Sequence, residues 1–155
     1  MNYTFSIESF SSTYSELEPI YRQHYEEMRY RLLDSGVSLG HYNPRLDAYV
    51  KASDDGWLVT YVARLDGKAV GYCNIYVTLD MHNSEKIAQE DTIYILPNHR
   101  NGTGKGLIKF VHDDLKRRSV KRLNITTATD LRVGKLLGRM GYAQTAQAMT
   151  FVFKD

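Results

Sequence analysis

The chain has one cysteine, Cys73, so no internal disulfide can staple it. Cys73 lies in an apolar run, where a small buried thiol is the ordinary reading, and such sparing use suits a reducing compartment. Only three prolines occur, at 19, 44 and 97, and no Pro-, Gly- or Ser-rich stretch marks a linker or a low-complexity segment. No apolar run approaches the roughly 20 residues of a membrane span. The opening MNYTFSIESF lacks the basic start and long apolar core of a signal peptide. The expectation is a cytoplasmic protein without a membrane partner. Charge is also scarce in net terms, at +2, which excludes a global polyanion-binding signature. Lys116, Arg117, Arg118, Lys121 and Arg122 do cluster, but without interleaved aromatics. They read as a solvated helix end rather than a nucleic-acid surface. His24, His41 and His82 have no ligand spacing with Cys or acidic residues, so no metal is expected. What is present is 155 residues, 43% of them hydrophobic and 25% charged, with twelve tyrosines. That suits one domain, 1–155, with a real core.

Polarity alternates over 3–9, predicting a strand. Ser15 and Glu18 form a candidate capping box for a helix over 15–34, with Pro19 in its first turn. Residues 36–43 form a loop carrying His41 and Tyr42. Pro44 opens a short helix over 45–53, with Leu46, Tyr49 and Val50 inward. Two β-branched and aromatic runs, 57–65 and 68–79, flank Asp66-Gly67, a strong hairpin signal. A polar loop at 80–86 leads to a strand over 88–96. A helix over 104–118 points Leu107, Ile108, Val111 and Leu115 inward. A strand over 122–128 and a helix over 130–140 follow, and the end reads as two short strands, the last MTFVF. The order predicts a mixed α/β sheet.

The chemistry-bearing stretch is IYILPNHRNGTGKGLIKFVH, residues 93–112. It reads as strand, proline, a loop with Gly102, Gly104 and Gly106, then a helix. The amides and positive dipole end of that helix face the loop, which suits an anion such as a pyrophosphate. The Walker phosphate loop does not fit, because position 99 is His and 106 is Gly. The dinucleotide fingerprint does not fit either. The spacing is G-x-G-x-G, it comes late, and no acidic ribose partner is evident. A coenzyme A pyrophosphate loop is the third reading.

The run Ile95-Leu96-Pro97-Asn98-His99-Arg100-Asn101-Gly102-Thr103-Gly104-Lys105-Gly106-Leu107-Ile108 resembles the signature of the GNAT superfamily of N-acetyltransferases. The block from Asp130 to Gly141-Tyr142 resembles that family's second helix, with its closing Gly-aromatic pair. Two positions depart from the pattern. Asp130 stands in an Asn place, and Leu137 in the place of a tyrosine that often protonates the departing thiolate. The small acetyltransferase-like proteins of bacteriophages show a similar run. The resemblance covers 55–155 well and the first fifty residues only by order of elements.

The resemblance implies a GNAT-like α/β fold, with a mixed, mostly antiparallel sheet of about six or seven strands and about four helices. It implies direct transfer of an acetyl group from acetyl-CoA to an amine of a small molecule or protein. The coenzyme would lie on the backbone of Asn101, Gly102, Thr103, Gly104, Lys105 and Gly106, with Arg100 and Arg132 near its phosphates and an amide near Ile95 polarising the thioester. Glu90 is the preferred base and Tyr94 the candidate acid or water holder. Strict alternation puts Glu90, Thr92 and Tyr94 on one face and Asp91, Ile93 and Ile95 on the other. The ordinary readings are a solvated strand-end carboxylate for Glu90 and a packed aromatic for Tyr94. His41 and Tyr42 are substrate-side candidates. The alternative function is a GNAT-shaped binding or structural protein without catalysis, which Leu137 favours. MTFVF could pair at a sheet edge and give a homodimer.

Overall fold

The computed structural model describes residues 2–127 and 132–155. Among them the chain forms β1 (Tyr3–Glu8), α1 (Phe10–Asp34), α2 (Leu46–Asp54), β2 (Leu58–Leu65), β3 (Lys68–Leu79) and β4 (Lys86–Ile95). A 3-10 turn (Pro97–His99), α3 (Thr103–Arg117), β5 (Arg122–Asn124) and α4 (Arg132–Arg139) complete it. The five strands make one sheet in the order β1-β2-β3-β4-β5. Neighbours from β1 to β4 are antiparallel, and β4 and β5 are parallel. With four helices among the described residues, this is the mixed, mostly antiparallel α/β architecture that the resemblance implies. The chain divides into two compact units, one of Met1–Tyr21 with Pro44–Thr126, the other of Arg22–Asn43 with Thr127–Asp155.

The first unit holds the whole sheet. The β2–β3 hairpin turns at Asp66 and Gly67, both at positive φ (49° and 86°), as a two-residue loop between twisted strands requires. Arg64 braces that corner, bonding both Glu8 carboxylate oxygens, Glu16 and the Gly67 carbonyl. On one sheet face Val59, Tyr61, Ala63, Cys73, Ile75, Ala88 and Ile95 pack with Leu107, Val111 and Leu115 of α3. These α3 residues recur at helical spacing, and full burial of each aliphatic side chain stabilises by roughly 1.5–3 kcal/mol. Cys73 is buried there, and burial pushes its thiol well above the usual range, so it is a packing residue. Beneath α3, Asp114 accepts from Tyr61 Oη at 2.6 Å and from Arg118 Nε at 2.7 Å, which offsets the cost of its burial.

Four expectations change. Helix α1 begins at Phe10, where Ser9 Oγ accepts the Ser12 N–H at 3.3 Å; the Ser15–Glu18 pair lies inside the helix and Pro19 in its interior. The local box scored well, but Phe10, Thr13 and Leu17 extend the buried stripe a further turn and set the start. Leu46 is exposed rather than inward, while Ala52 is the buried residue of α2. The strand expected over 122–128 pairs only at Arg122–Asn124. The C-terminal strands do not form. Residues 143–155 carry no strand, and Met149, Phe151 and Phe153 are exposed. Alternation there has no paired edge among the described residues, and a strand without a partner satisfies none of its backbone groups.

Candidate active site

The site in the first unit is built on the end of β4. Strand β5 follows it only through Ile87↔Arg122, Ala88↔Leu123 and Gln89↔Asn124. From Glu90 to Ile95, no strand among the described residues pairs with β4 on that side. The other side stays paired with β3, but with a register shift. Asn74 faces Thr92 and Ile75 faces Glu90, so Asp91 is an extra residue, a β-bulge.

The bulge overturns the expected faces. Residues directly opposite in an antiparallel pair point the same way. Glu90 therefore shares the face of Ile75, which packs with α3, whereas Thr92 shares the face of Asn74. Asp91 goes with the second set and accepts a hydrogen bond from Tyr49 Oη of α2 at 2.7 Å. Thus Glu90 parts from Thr92 and Tyr94, and Asp91 from Ile93 and Ile95. The extra residue resets a period of two.

Glu90 is buried, and its Oε1 accepts the Thr126 N–H at 3.0 Å, on the chain leaving β5. Burial pushes its carboxyl up from 4.5 to about 7; the Thr126 N–H pulls it down, and the Asp91 charge adds to the rise. Asp91 is half-buried. Burial raises its carboxyl, and the phenols of Tyr49 and Tyr76 oppose the rise. Both phenols are themselves pushed up, chiefly by burial and then by the Asp91 charge. Behind them, Asn74 is fully buried, with Thr60 Oγ1 donating to its Oδ1 at 2.7 Å and its Nδ2 donating to Tyr21 Oη at 2.7 Å. That network ties β2 and β3 to the middle of α1 beside the bulge. The sequence held a signal for Asp91 in the adjacent acidic pair Glu90-Asp91, but none for its phenol partners, which come from distant elements.

Tyr94 is buried beneath Arg100, whose guanidinium carbon lies 5.1 Å from the ring centroid. Arg100 Nε donates to the Ile95 carbonyl at 2.8 Å, so this side chain folds back on its own strand. His99 is tied to Tyr3 Oη through Nδ1 at 2.9 Å.

The glycine loop separates into different jobs. Gly102, at φ +86° and ψ −9°, is the left-handed residue before α3, and no side chain caps the helix. Its own N–H donates to Arg100 O at 2.8 Å, and the Gly106 N–H donates to Gly102 O at 3.0 Å. The first-turn amides of Thr103, Gly104 and Lys105 precede any intrahelical acceptor, and they are the donors an anion meets. A Cβ on Gly104 would come no nearer than 3.9 Å to Ile95 Cγ1, so this glycine lies clear of the packed core. A Cβ on Gly106 would lie 2.8 Å from Phe5 Cζ. Gly106 therefore serves α3–β1 packing, and its amide is spent inside the helix. Asn101 is exposed in the bend before the helix. An uncapped helix start with backbone donors and an open glycine fits the pyrophosphate of coenzyme A.

His41, Tyr42 and Arg132 belong to the second unit. There the Arg22 guanidinium carbon lies 4.8 Å from the Tyr42 ring centroid, and Tyr25 packs on Tyr42 at 5.7 Å. His41 is exposed, and Arg132 begins α4. Leu137 is buried in α4, and its carbonyl accepts the Tyr142 N–H at 3.0 Å. Asp130 lies outside the described residues. Among the described residues no group of three His, Cys, Asp or Glu could hold a metal ion, and no helix is long and apolar enough to cross a membrane.

A family model described as the acetyltransferase (GNAT) family matches residues 9–142. No curated protein sequence matches the chain significantly. Among solved structures, a ribosomal-protein-alanine N-acetyltransferase from Brucella melitensis biovar Abortus 2308 superposes with a TM-score of 0.76 at 18% identity, covering 100% of both chains. An aminoglycoside acetyltransferase from an uncultured soil metagenomic sample, in complex with sisomicin, gives 0.73 at 15% identity, covering 98% of this chain and 95% of its own. An integron cassette protein from V. cholerae gives 0.68 at 16% identity, covering 100% and 94%. At these identities the likeness concerns the fold.

Proposed function

The chain belongs to the GNAT acetyltransferase family, and on that premise we propose that it moves the acetyl group of acetyl-CoA directly to an amine nitrogen of a small molecule or protein, as one catalytic domain in the cytoplasm. Bound acetyl-CoA supplies an activated thioester and a leaving thiolate. Backbone N–H groups of Thr103, Gly104 and Lys105 hold its pyrophosphate at the start of α3, where the helix dipole adds to their hydrogen bonds. The unpaired side of β4 up to Ile95 offers backbone groups to the acyl arm and an amide to the thioester oxygen.

Glu90 takes the proton from the acceptor. An amine attacks only when neutral, so the ammonium that arrives must lose a proton to a base in reach. A carboxyl at about 7 is half ionised near neutrality and a far stronger base than one at 4.5. The N–C bond forms as the C–S bond breaks, and the thiolate then takes a proton. Tyr94 is the group we assign to that last step, directly or through a water it holds. The observation that carries the reading is Glu90 itself: a buried carboxyl raised to about 7 where β4 parts from β5. The test is thiol release across a panel of amines, followed against pH. The expected rate rises through about 7 and is lost in Glu90→Gln with coenzyme binding intact. An unchanged profile in the variant would remove Glu90 as base.

One observation favours a second reading. Leu137 is a buried aliphatic residue where the resemblance expects a tyrosine acid. A GNAT-shaped binding protein would bind the coenzyme and release no thiol with any amine.

A further inference from the structure

Arg100 stands in the bend that leads into α3, where its carbonyl accepts the Gly102 N–H at 2.8 Å. Its side chain turns back onto β4. Nε donates to the Ile95 carbonyl at 2.8 Å, and the guanidinium carbon lies 5.1 Å from the centroid of the buried Tyr94 ring. The ladder with β3 fixes which side of the strand this is. The Leu96 N–H donates to Val70 O at 2.9 Å, so those two backbones face each other. Opposite pairs alternate along an antiparallel ladder, so Ile95, opposite Gly71, turns both its N–H and its C=O away from β3. That is the side from which β5 has already departed. The register is pinned here, because a Cβ on Gly71 would lie 2.6 Å from the Tyr94 carbonyl oxygen. An arginine thus holds an edge carbonyl on the unpaired side of β4, and it does so with a group whose planar fork matches phosphate oxygens.

We infer that Arg100 selects the acyl donor by exchange: a phosphate on the donor draws the guanidinium off Ile95 O, and an amide N–H of the acyl arm takes that carbonyl in its place. Thioesters of coenzyme A are accepted, whereas thioesters of pantetheine without the diphosphate meet an occupied edge. No covalent bond changes in this step. One hydrogen bond to Ile95 O replaces another, and the cation–π contact with Tyr94 gives way to a charge-assisted contact with phosphate. The same movement lifts the guanidinium from Tyr94, the proposed proton donor, only when a complete donor is bound. The inference rests on the acetyltransfer reading for the identity of the donor.

The experiment is calorimetric titration of the full chain with acetyl-CoA and with S-acetylpantetheine, in the wild type and in Arg100→Met. Methionine keeps an apolar stem and loses both the donor and the charge. The two ligands are expected to respond in opposite directions. Acetyl-CoA should bind the variant roughly tenfold or more weakly, and acetylpantetheine roughly fivefold or more tightly. An arginine that only braced the strand would move both the same way. In the wild type, the Arg100 Nε–H NMR signal should shift when acetyl-CoA is added. Changes of the same sign for both ligands, no gain for acetylpantetheine, or an unmoved Nε–H signal would each overturn the inference. The wild type's own titration separates the two ideas. A folded wild type that binds no acetyl-CoA would discard acetyl transfer and this inference with it, whereas wild-type binding with responses of the same sign would remove the role of Arg100 alone.

Discussion

Replacing Glu90 by glutamine should stabilise the protein at alkaline pH and leave it unchanged in acid. The carboxyl rises from 4.5 to about 7 on folding. Between those values the folded state holds a proton that the unfolded state has released, so stability falls as pH rises through that window and levels off above it. At about 1.4 kcal/mol per pH unit, the fully ionised wild type gives up about 3 kcal/mol relative to acid. Burial is the largest cause, and glutamine removes it because an amide carries no charge to desolvate. Glutamine also keeps an oxygen for the Thr126 N–H, which Glu90 Oε1 holds at 3.0 Å. The assay is urea unfolding of both proteins at about pH 4.5, the unfolded value, and about pH 8. Carboxylates other than Asp91, whose charge is coupled to that of Glu90, titrate alike in the two chains and cancel in the difference. The expected difference is small at the lower pH and about 2–3 kcal/mol in favour of the variant at the higher. A difference that is the same at both pH values would refute the placement of a buried, proton-holding carboxyl at this bulge.

Gly106→Ala should cost about 1–3 kcal/mol in urea unfolding through overpacking, because the new methyl would lie 2.8 Å from Phe5 Cζ. Adding Phe5→Leu should restore part of it. Gly104→Ala, whose methyl has 3.9 Å to Ile95 Cγ1, should change stability by less than Gly106→Ala. Tyr49→Phe removes a 2.7 Å bond to Asp91 and should cost about 1–2 kcal/mol. It should also raise the Asp91 carboxyl further, which a carboxylate-resolved NMR titration can follow.

The glycine loop, the Asp66-Gly67 hairpin and the inward stripe Leu107, Ile108, Val111, Leu115 were legible because each follows from local chemistry: positive φ at a turn, or a 3.6-residue period. The bulge was not. QEDTIYI alternates plausibly in either phase, and only pairing with β3 reveals that Asp91 is extra. Gly106 was misleading for a related reason. A glycine that admits a phosphate and one that admits Phe5 look alike until the two elements are packed. The Tyr49 bond to Asp91 joins two elements far apart in sequence, and twelve tyrosines gave no means of choosing one. At the C-terminus, alternation in MTFVF suggested a strand. Alternation records which faces differ, and it cannot supply the partner edge that a strand needs.

The central claim is that the start of α3 holds coenzyme A through the amides of Thr103, Gly104 and Lys105. Isothermal titration of acetyl-CoA into the wild type and Gly104→Val tests it most directly. Saturable binding by the wild type, abolished in a Gly104→Val protein that still unfolds cooperatively, is the predicted result. No binding by the folded wild type, or equal affinity in the two proteins, would contradict the account.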